Sequence, residues 1–129
     1  MAQLTLNEYQ EKAMQTCLPE SYNIFYMLAN LMGEVGEFAS KAGKHMRKGK
    51  LHIIAMDRSE DGKILHTQTW NITEEERALM LSEIGDILWQ TAGLAKVMGI
   101  SLEDVAEENL AKLASRQERG LIAGDGDKR

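Results

Sequence analysis

A chain of 129 residues with 43% hydrophobic content is long enough for one hydrophobic core, so the sequence reads as a single domain spanning 1–129. The net charge of −5 argues against general attraction to DNA or RNA, and no apolar stretch approaches the roughly 20 residues of a membrane span. The lone Cys17 rules out an intramolecular disulfide, and the opening residues carry neither the basic start nor the apolar run of a secretory signal, which predicts a reducing, cytoplasmic setting without nucleic-acid or membrane partners.

Only Pro19 interrupts a sequence whose apolar residues recur mostly at intervals of three and four, and this predicts an all-α helical bundle of about four to five helices. Thr5 with Glu8 makes a capping box ahead of a short helix through Tyr9, Ala13 and Met14, ended near Pro19. A long helix follows with a core stripe of Ile24, Met27, Leu28, Leu31, Val35 and Phe38. Gly49 stops it after the basic run Lys44-His45-Met46-Arg47-Lys48, whose positive charge suits a helix C-terminus.

Residues 51–71 break this pattern. Two apolar runs flank Ser59-Glu60-Asp61-Gly62-Lys63, which reads equally as a small β-hairpin or as an irregular loop inserted between helices. Thr73 with Glu76 then begins a helix through Met80, Ile84, Ile87, Leu88, Thr91, Leu94 and Met98, stopped at Gly99. Ser101 with Asp104 caps a last helix running to Gly120, and 121–129 reads as a flexible polar tail.

The most informative pattern is a duplication. Glu34 and Glu37 share an i,i+3 spacing with Glu83 and Asp86, and both pairs are embedded in apolar sequence. Residues three apart on a helix project to nearly the same side, so each pair offers oxygen ligands to one point, and facing helices would bring the carboxylates together. Such a cluster is repulsive and hard to desolvate without a cation; magnesium is the first candidate because it takes oxygen ligands and leaves positions open for phosphates, with manganese second.

For either pair alone, a solvated helix face is the commoner explanation. At about 100° per residue, however, Glu34 falls beside the stripe of Met27, Leu31 and Phe38, and Glu83 beside that of Met80, Ile87 and Leu94. Gly36 and Gly85, each one residue before the last acid of its pair, are poor helix formers that would permit close helix approach, or are simple surface glycines.

Other chemistries lack their signatures. A di-iron carboxylate bundle needs Glu-x-x-His motifs, which do not occur; His45 and His52 read as solvent-facing or loop histidines. Cys17 has no partner histidine signature, and there is no P-loop. Bases do accompany the acids. Lys41, Lys44, Arg47 and Lys48 follow the first pair, and Lys112, Arg116 and Arg119 lie along one side of the last helix. A cation held by acids with lysines and arginines near it is what phosphoryl chemistry uses, although helix-end bases are also ordinary surface residues.

These residues resemble the MazG-like all-α nucleoside triphosphate pyrophosphohydrolases, related to dimeric dUTPases and dCTPases. The resemblance runs from about Leu4 to the C-terminus, with the insert least matched. It rests on Gly33-Glu34-Val35-Gly36-Glu37-Phe38, on Glu83-Ile84-Gly85-Asp86-Ile87-Leu88-Trp89 and, in order after them, on Asn109-Leu110-Ala111-Lys112-Leu113-Ala114-Ser115-Arg116. It implies that Glu34, Glu37, Glu83 and Asp86 bind magnesium and form the catalytic centre. The substrate would be an NTP or dNTP cleaved to monophosphate and pyrophosphate by a water whose ionisation the cation favours.

It further implies substrate contacts from Asn109, Lys112 and Arg116, with Lys44 and Arg47 as further phosphate contacts, and a homodimer or homotetramer. Many relatives carry an additional Glu where this chain has Gly33, a variant that resembles the dCTPase-like branch, so the proton acceptor is unassigned. Gln90 stands after Trp89 where a Tyr is frequent in the family. The reading from another class is a catalytically idle bundle of the same fold, serving as a nucleotide-binding or oligomeric partner.

Overall fold

Helix boundaries fall where the capping residues put them. The structure, a computed structural model, describes residues 2–58, 60–62, 64–120 and 122, and of 53–58 and 64–69 the backbone alone. Helix α1 (Leu6–Met14) opens on Thr5, whose hydroxyl accepts from the Glu8 amide at 3.1 Å while the Glu8 carboxylate accepts from the Thr5 amide at 2.9 Å. Pro19 begins a single 3-10 turn, Pro19–Ser21, as its fixed φ and missing N–H favour.

Helix α2 (Ile24–Arg47) starts where the Asn23 side chain accepts from the Tyr26 amide, and it ends at Gly49, whose φ is +70°. There the Lys50 amide reaches back to the His45 carbonyl at 2.8 Å and the Gly49 amide to that of Met46 at 3.0 Å, a Schellman closure that needs the left-handed glycine.

The insert is a hairpin: β1 (Leu51–Arg58) pairs antiparallel with β2 (Ile64–Trp70), from Leu51 opposite Trp70 to Arg58 opposite Ile64, with a bulge between Ile53 and Ala55. Gly62 in the turn has φ +82°. Helix α3 (Glu74–Val97) carries a reciprocal Thr73–Glu76 capping box at 3.0 and 3.1 Å, and α4 (Leu102–Glu118) is capped by the Ser101 hydroxyl accepting from the Asp104 amide at 3.1 Å. No described helix is long and apolar enough to cross a membrane. The tail 121–129 lies outside the described residues, apart from Ile122.

The chain forms two compact units, Met1–Leu28 with Trp89–Arg129, and Ala29–Leu88. In the first, Ala92, Ala95 and Leu102 are buried with Tyr9 and Met14 against them. Buried Gln10 donates to the carbonyls of Ala92 and Ile100 at 3.2 and 3.0 Å and accepts from the Leu102 amide at 3.2 Å. One polar side chain thus ties α1 to α3 and to the start of α4, satisfying groups that would be unfavourable to bury unpaired. Gly93 belongs to this unit, and a Cβ there would strike the sulfur of fully buried Met27.

The second unit consists of the hairpin and the adjoining lengths of α2 and α3. Among its described residues Met80 and Glu83 are buried, and Lys50 pairs with Glu76. Two expectations need correction. Of the α2 stripe only Met27 is buried, with Ile24, Leu28 and Val35 about half exposed. A Cβ at Gly36 or Gly85 would meet nothing within 4 Å, so of their two readings the surface glycine holds within this chain; the glycine that close packing requires is Gly93.

Candidate active site

Within Ala29–Leu88 members of both acid pairs come together. One carboxylate oxygen from each of Glu34 on α2 and Glu83 and Asp86 on α3 lies within 4.8 Å of the others. Glu37 is exposed and outside that set of three, yet its charge acts on Glu34 and its carboxyl adjoins that of Glu83.

Their environments differ. Burial, and then the charges of Glu37, Asp86 and Glu83, push the Glu34 carboxyl above the ordinary glutamate range. Glu83 goes the other way: the hydrogen bond from Lys41 holds its carboxyl below that range, more strongly than burial raises it.

Glu83 is the most enclosed member, 9% exposed, and its two oxygens are treated unequally. Oε1 accepts from the Lys41 ammonium, whereas Oε2 is buried and receives no hydrogen bond among the described residues. A buried anionic oxygen without a donor, beside two further carboxylates, is a strongly unfavourable arrangement that a cation would relieve. The donors are hard oxygens only, so Mg²⁺ fits them, and Mn²⁺ fits the same set.

Among the described residues, Lys41 is the base that pairs with one of these acids. It stands four residues after Glu37 and seven after Glu34, hence on their side of α2. That spacing was a readable signal, but it pointed to an ordinary pair within α2 rather than to Glu83. Lys44 and Arg47 are exposed in the last turns of the helix. At about 1.5 Å rise per residue they lie about 15 and about 20 Å along the axis from Glu34, so the helix does not carry them to the carboxylates.

The candidates on α4 belong to the other unit. Asn109 and Lys112 line a cavity of about 460 Å³ with Ile100, Asp104, Val105 and Glu108. Arg116 is buried, 6% exposed, and does not line it. Gln90 is buried in the same unit.

A larger cavity in Ala29–Leu88, about 550 Å³, is lined by Phe38, Trp70, Ile72, Met80, Leu81 and Ile84, with Glu74 and Arg77 among its walls. On α3 its residues Arg77, Leu81 and Ile84 lie about 100° to 160° round from Glu83, while Asp86 lies about 60° to the opposite side. Most of the cavity's lining on α3 therefore lies round from the carboxylates, with Met80 between the two.

The remaining candidates stay outside the chemistry. Burial raises the Cys17 thiol, the direction opposite to an activated nucleophile. His52 is exposed, as expected, but His45 is half-buried rather than solvent-facing.

Residues 24–121 match the model of the MazG nucleotide pyrophosphohydrolase domain. The chain is 36% identical over 104 residues to the Gene 37 protein of Mycobacterium phage L5, covering 81% of this chain and 75% of that protein. It is 29% identical over 117 residues to the uncharacterized protein YvdC of Bacillus subtilis strain 168, covering 91% of this chain and 93% of that one. No solved structure matches.

Proposed function

The chain belongs to the MazG nucleotide pyrophosphohydrolase family, and from that premise we propose that it hydrolyses an NTP or dNTP to the nucleoside monophosphate and pyrophosphate in a Mg²⁺-dependent reaction. The observation that carries the proposal is the convergence of Glu34, Glu83 and Asp86, one of which, Glu83, keeps a buried oxygen without a hydrogen bond among the described residues. These three would hold the cation and Glu37 would complete the set. A cation held there would supply Lewis-acid neutralisation of the negative charge on the phosphates.

The hydrolysis proposed is a single displacement. Water oxygen attacks the α phosphorus and gives up its proton to solvent, the bond from that phosphorus to the α,β-bridging oxygen breaks, and pyrophosphate leaves with that bond's electron pair. The acids position the reactants, a role that geometric confinement makes effective. Glu34 must ionise to act as a ligand, and its raised affinity for a proton makes it the acid most sensitive to pH. Asn109, Lys112 and Arg116 are proposed as substrate contacts, with Lys44 and Arg47 as outer phosphate contacts. The cavity beside Asn109 and Lys112 offers an amide and an ammonium suited to sugar and phosphate oxygens.

A homodimer or homotetramer is part of the same proposal. Phe25 is 86%, Met32 71%, Leu81 64% and Leu110 66% exposed, more large apolar surface than an isolated soluble chain of this size leaves to water. Incubation with a panel of NTPs and dNTPs plus Mg²⁺ tests the activity: monophosphate and pyrophosphate are expected, and inorganic phosphate alone, or no turnover of any nucleotide, would refute it. Sedimentation equilibrium should find more than one copy per particle.

A further inference from the structure

The acid cluster already has a positive charge tethered to it. Lys41 rises from the same face of α2 as Glu34 and Glu37, crosses to α3 and binds Glu83, the most enclosed of the acids. It takes Oε1 and leaves Oε2 buried and bare. It is also placed to act on Glu34 and Glu37, which share its side of the helix. No other described ion pair involves a member of the cluster: Lys50 goes to Glu76, and Lys96 to Glu11.

We propose that Lys41 is the resident counter-ion of the carboxylate cluster, a positioning residue that holds Glu83 in place while no divalent cation is bound and competes with that cation for the cluster's negative charge. The inference rests on the reading that the cluster binds a divalent cation. Its physical basis is the asymmetry between the two states. Without a cation, one ammonium is what offsets acids that otherwise repel one another. With a cation present, the ammonium becomes a like charge beside it.

Lys41 therefore stabilises the empty state more than the filled one and sets a ceiling on affinity for the free ion. A triphosphate, which brings negative charge of its own, lifts that ceiling, so cation and substrate are captured best together. By holding Oε1, Lys41 fixes the orientation of the Glu83 carboxylate, the role that groups behind metal ligands generally play.

The test uses the full chain and Mn²⁺ alone, read by calorimetry and by the electron paramagnetic resonance of free Mn²⁺, with thermal unfolding of the cation-free protein measured in parallel. Lys41→Met keeps the length of the stem and removes the charge. It should lower the cation-free melting temperature and tighten Mn²⁺ binding roughly tenfold. Lys41→Arg should bind Mn²⁺ within about threefold of the unaltered chain, since the charge remains.

A packing role for Lys41 would lower stability without tightening the metal, so equal or weaker Mn²⁺ binding by Lys41→Met overturns the proposal. Should that variant not fold, Lys41→Gln, which retains a donor for Glu83, decides by the same criterion. If the unaltered chain binds no Mn²⁺, the cation site itself falls; if it binds Mn²⁺ and neither neutral variant binds more tightly, only the role of Lys41 falls.

Discussion

The two units treat their buried polar groups differently. In Met1–Leu28 with Trp89–Arg129, the groups around α1 are matched: Gln10 serves three backbone groups, and Asn7 and Glu103 bond reciprocally, side chain to side chain at 2.8 Å and the Glu103 amide to Asn7 Oδ1 at 3.1 Å, while the neutral amide oxygen of Gln90 is buried with no hydrogen bond among the described residues. In Ala29–Leu88, acids crowd one another and Glu83 keeps a buried oxygen bare. Satisfied polar groups specify a fold, whereas uncompensated charge held in place by that fold is where ligand chemistry becomes favourable.

The strongest way to break this contrast is to remove the charge. Glu34→Gln or Asp86→Asn should lower turnover by about 10³-fold while leaving the circular dichroism spectrum unchanged, because the acids act on ligands rather than on the fold. Retained activity in both variants would remove these residues from the site.

The reverse experiment targets the network around Gln10. Gln10→Ala leaves one buried and one half-buried carbonyl and a buried amide without their partner and should destabilise by about 3 kcal/mol in urea unfolding, with Mn²⁺ affinity unchanged. A stability loss within error would mean that water replaces the side chain readily.

Glycines separate the units on a smaller scale. Gly93→Ala should cost about 1 to 3 kcal/mol through its collision with Met27, whereas Gly36→Ala, with open space around its Cβ, should raise stability by about 0.5 to 1 kcal/mol. A destabilising Gly36→Ala would show that another copy of the chain packs on that face.

The gentlest probe is pH. The raised carboxyl of Glu34 binds its proton more tightly folded than unfolded, so its contribution to cation-free stability grows as pH falls through the raised value. Glu83 does the opposite: the stability it contributes is present above its unfolded pKa and is lost as pH falls through the lowered folded one. A cation must displace the Glu34 proton, so Mn²⁺ affinity should weaken as pH drops from about 7 to about 4, and it should begin to do so above the ordinary glutamate pKa. Glu34→Gln should flatten the upper part of that profile; an unaltered profile would exclude Glu34 as the proton carrier.

Much of the fold was legible because its signals are local. Thr5 with Glu8, Thr73 with Glu76, and Ser101 with the Asp104 amide cap the helices they mark, and Gly49 and Gly99 adopt the positive φ that closes α2 and α3. The hairpin stood level with an irregular loop because short apolar runs flanking a turn fit either; antiparallel pairing from Leu51–Trp70 to Arg58–Ile64 decided it. Exposure of Val35 and of the neighbouring stripe was illegible for another reason: helical periodicity identifies an apolar face but not what covers it.

By itself the sequence determined the four helices, their caps and stops, and the two acid pairs with the helical spacing that points each pair to one side. Each of these depends on residues within a turn or so of one another, where backbone geometry is nearly invariant. Only tertiary structure decided that Glu34, Glu83 and Asp86 converge, that Lys41 binds Glu83 rather than its own helix neighbour Glu37, and that Gly93 rather than Gly36 or Gly85 admits a close neighbour. Those are contacts between segments far apart in the chain, and side-chain reach across a helix pair depends on how the helices pack, which no local spacing encodes.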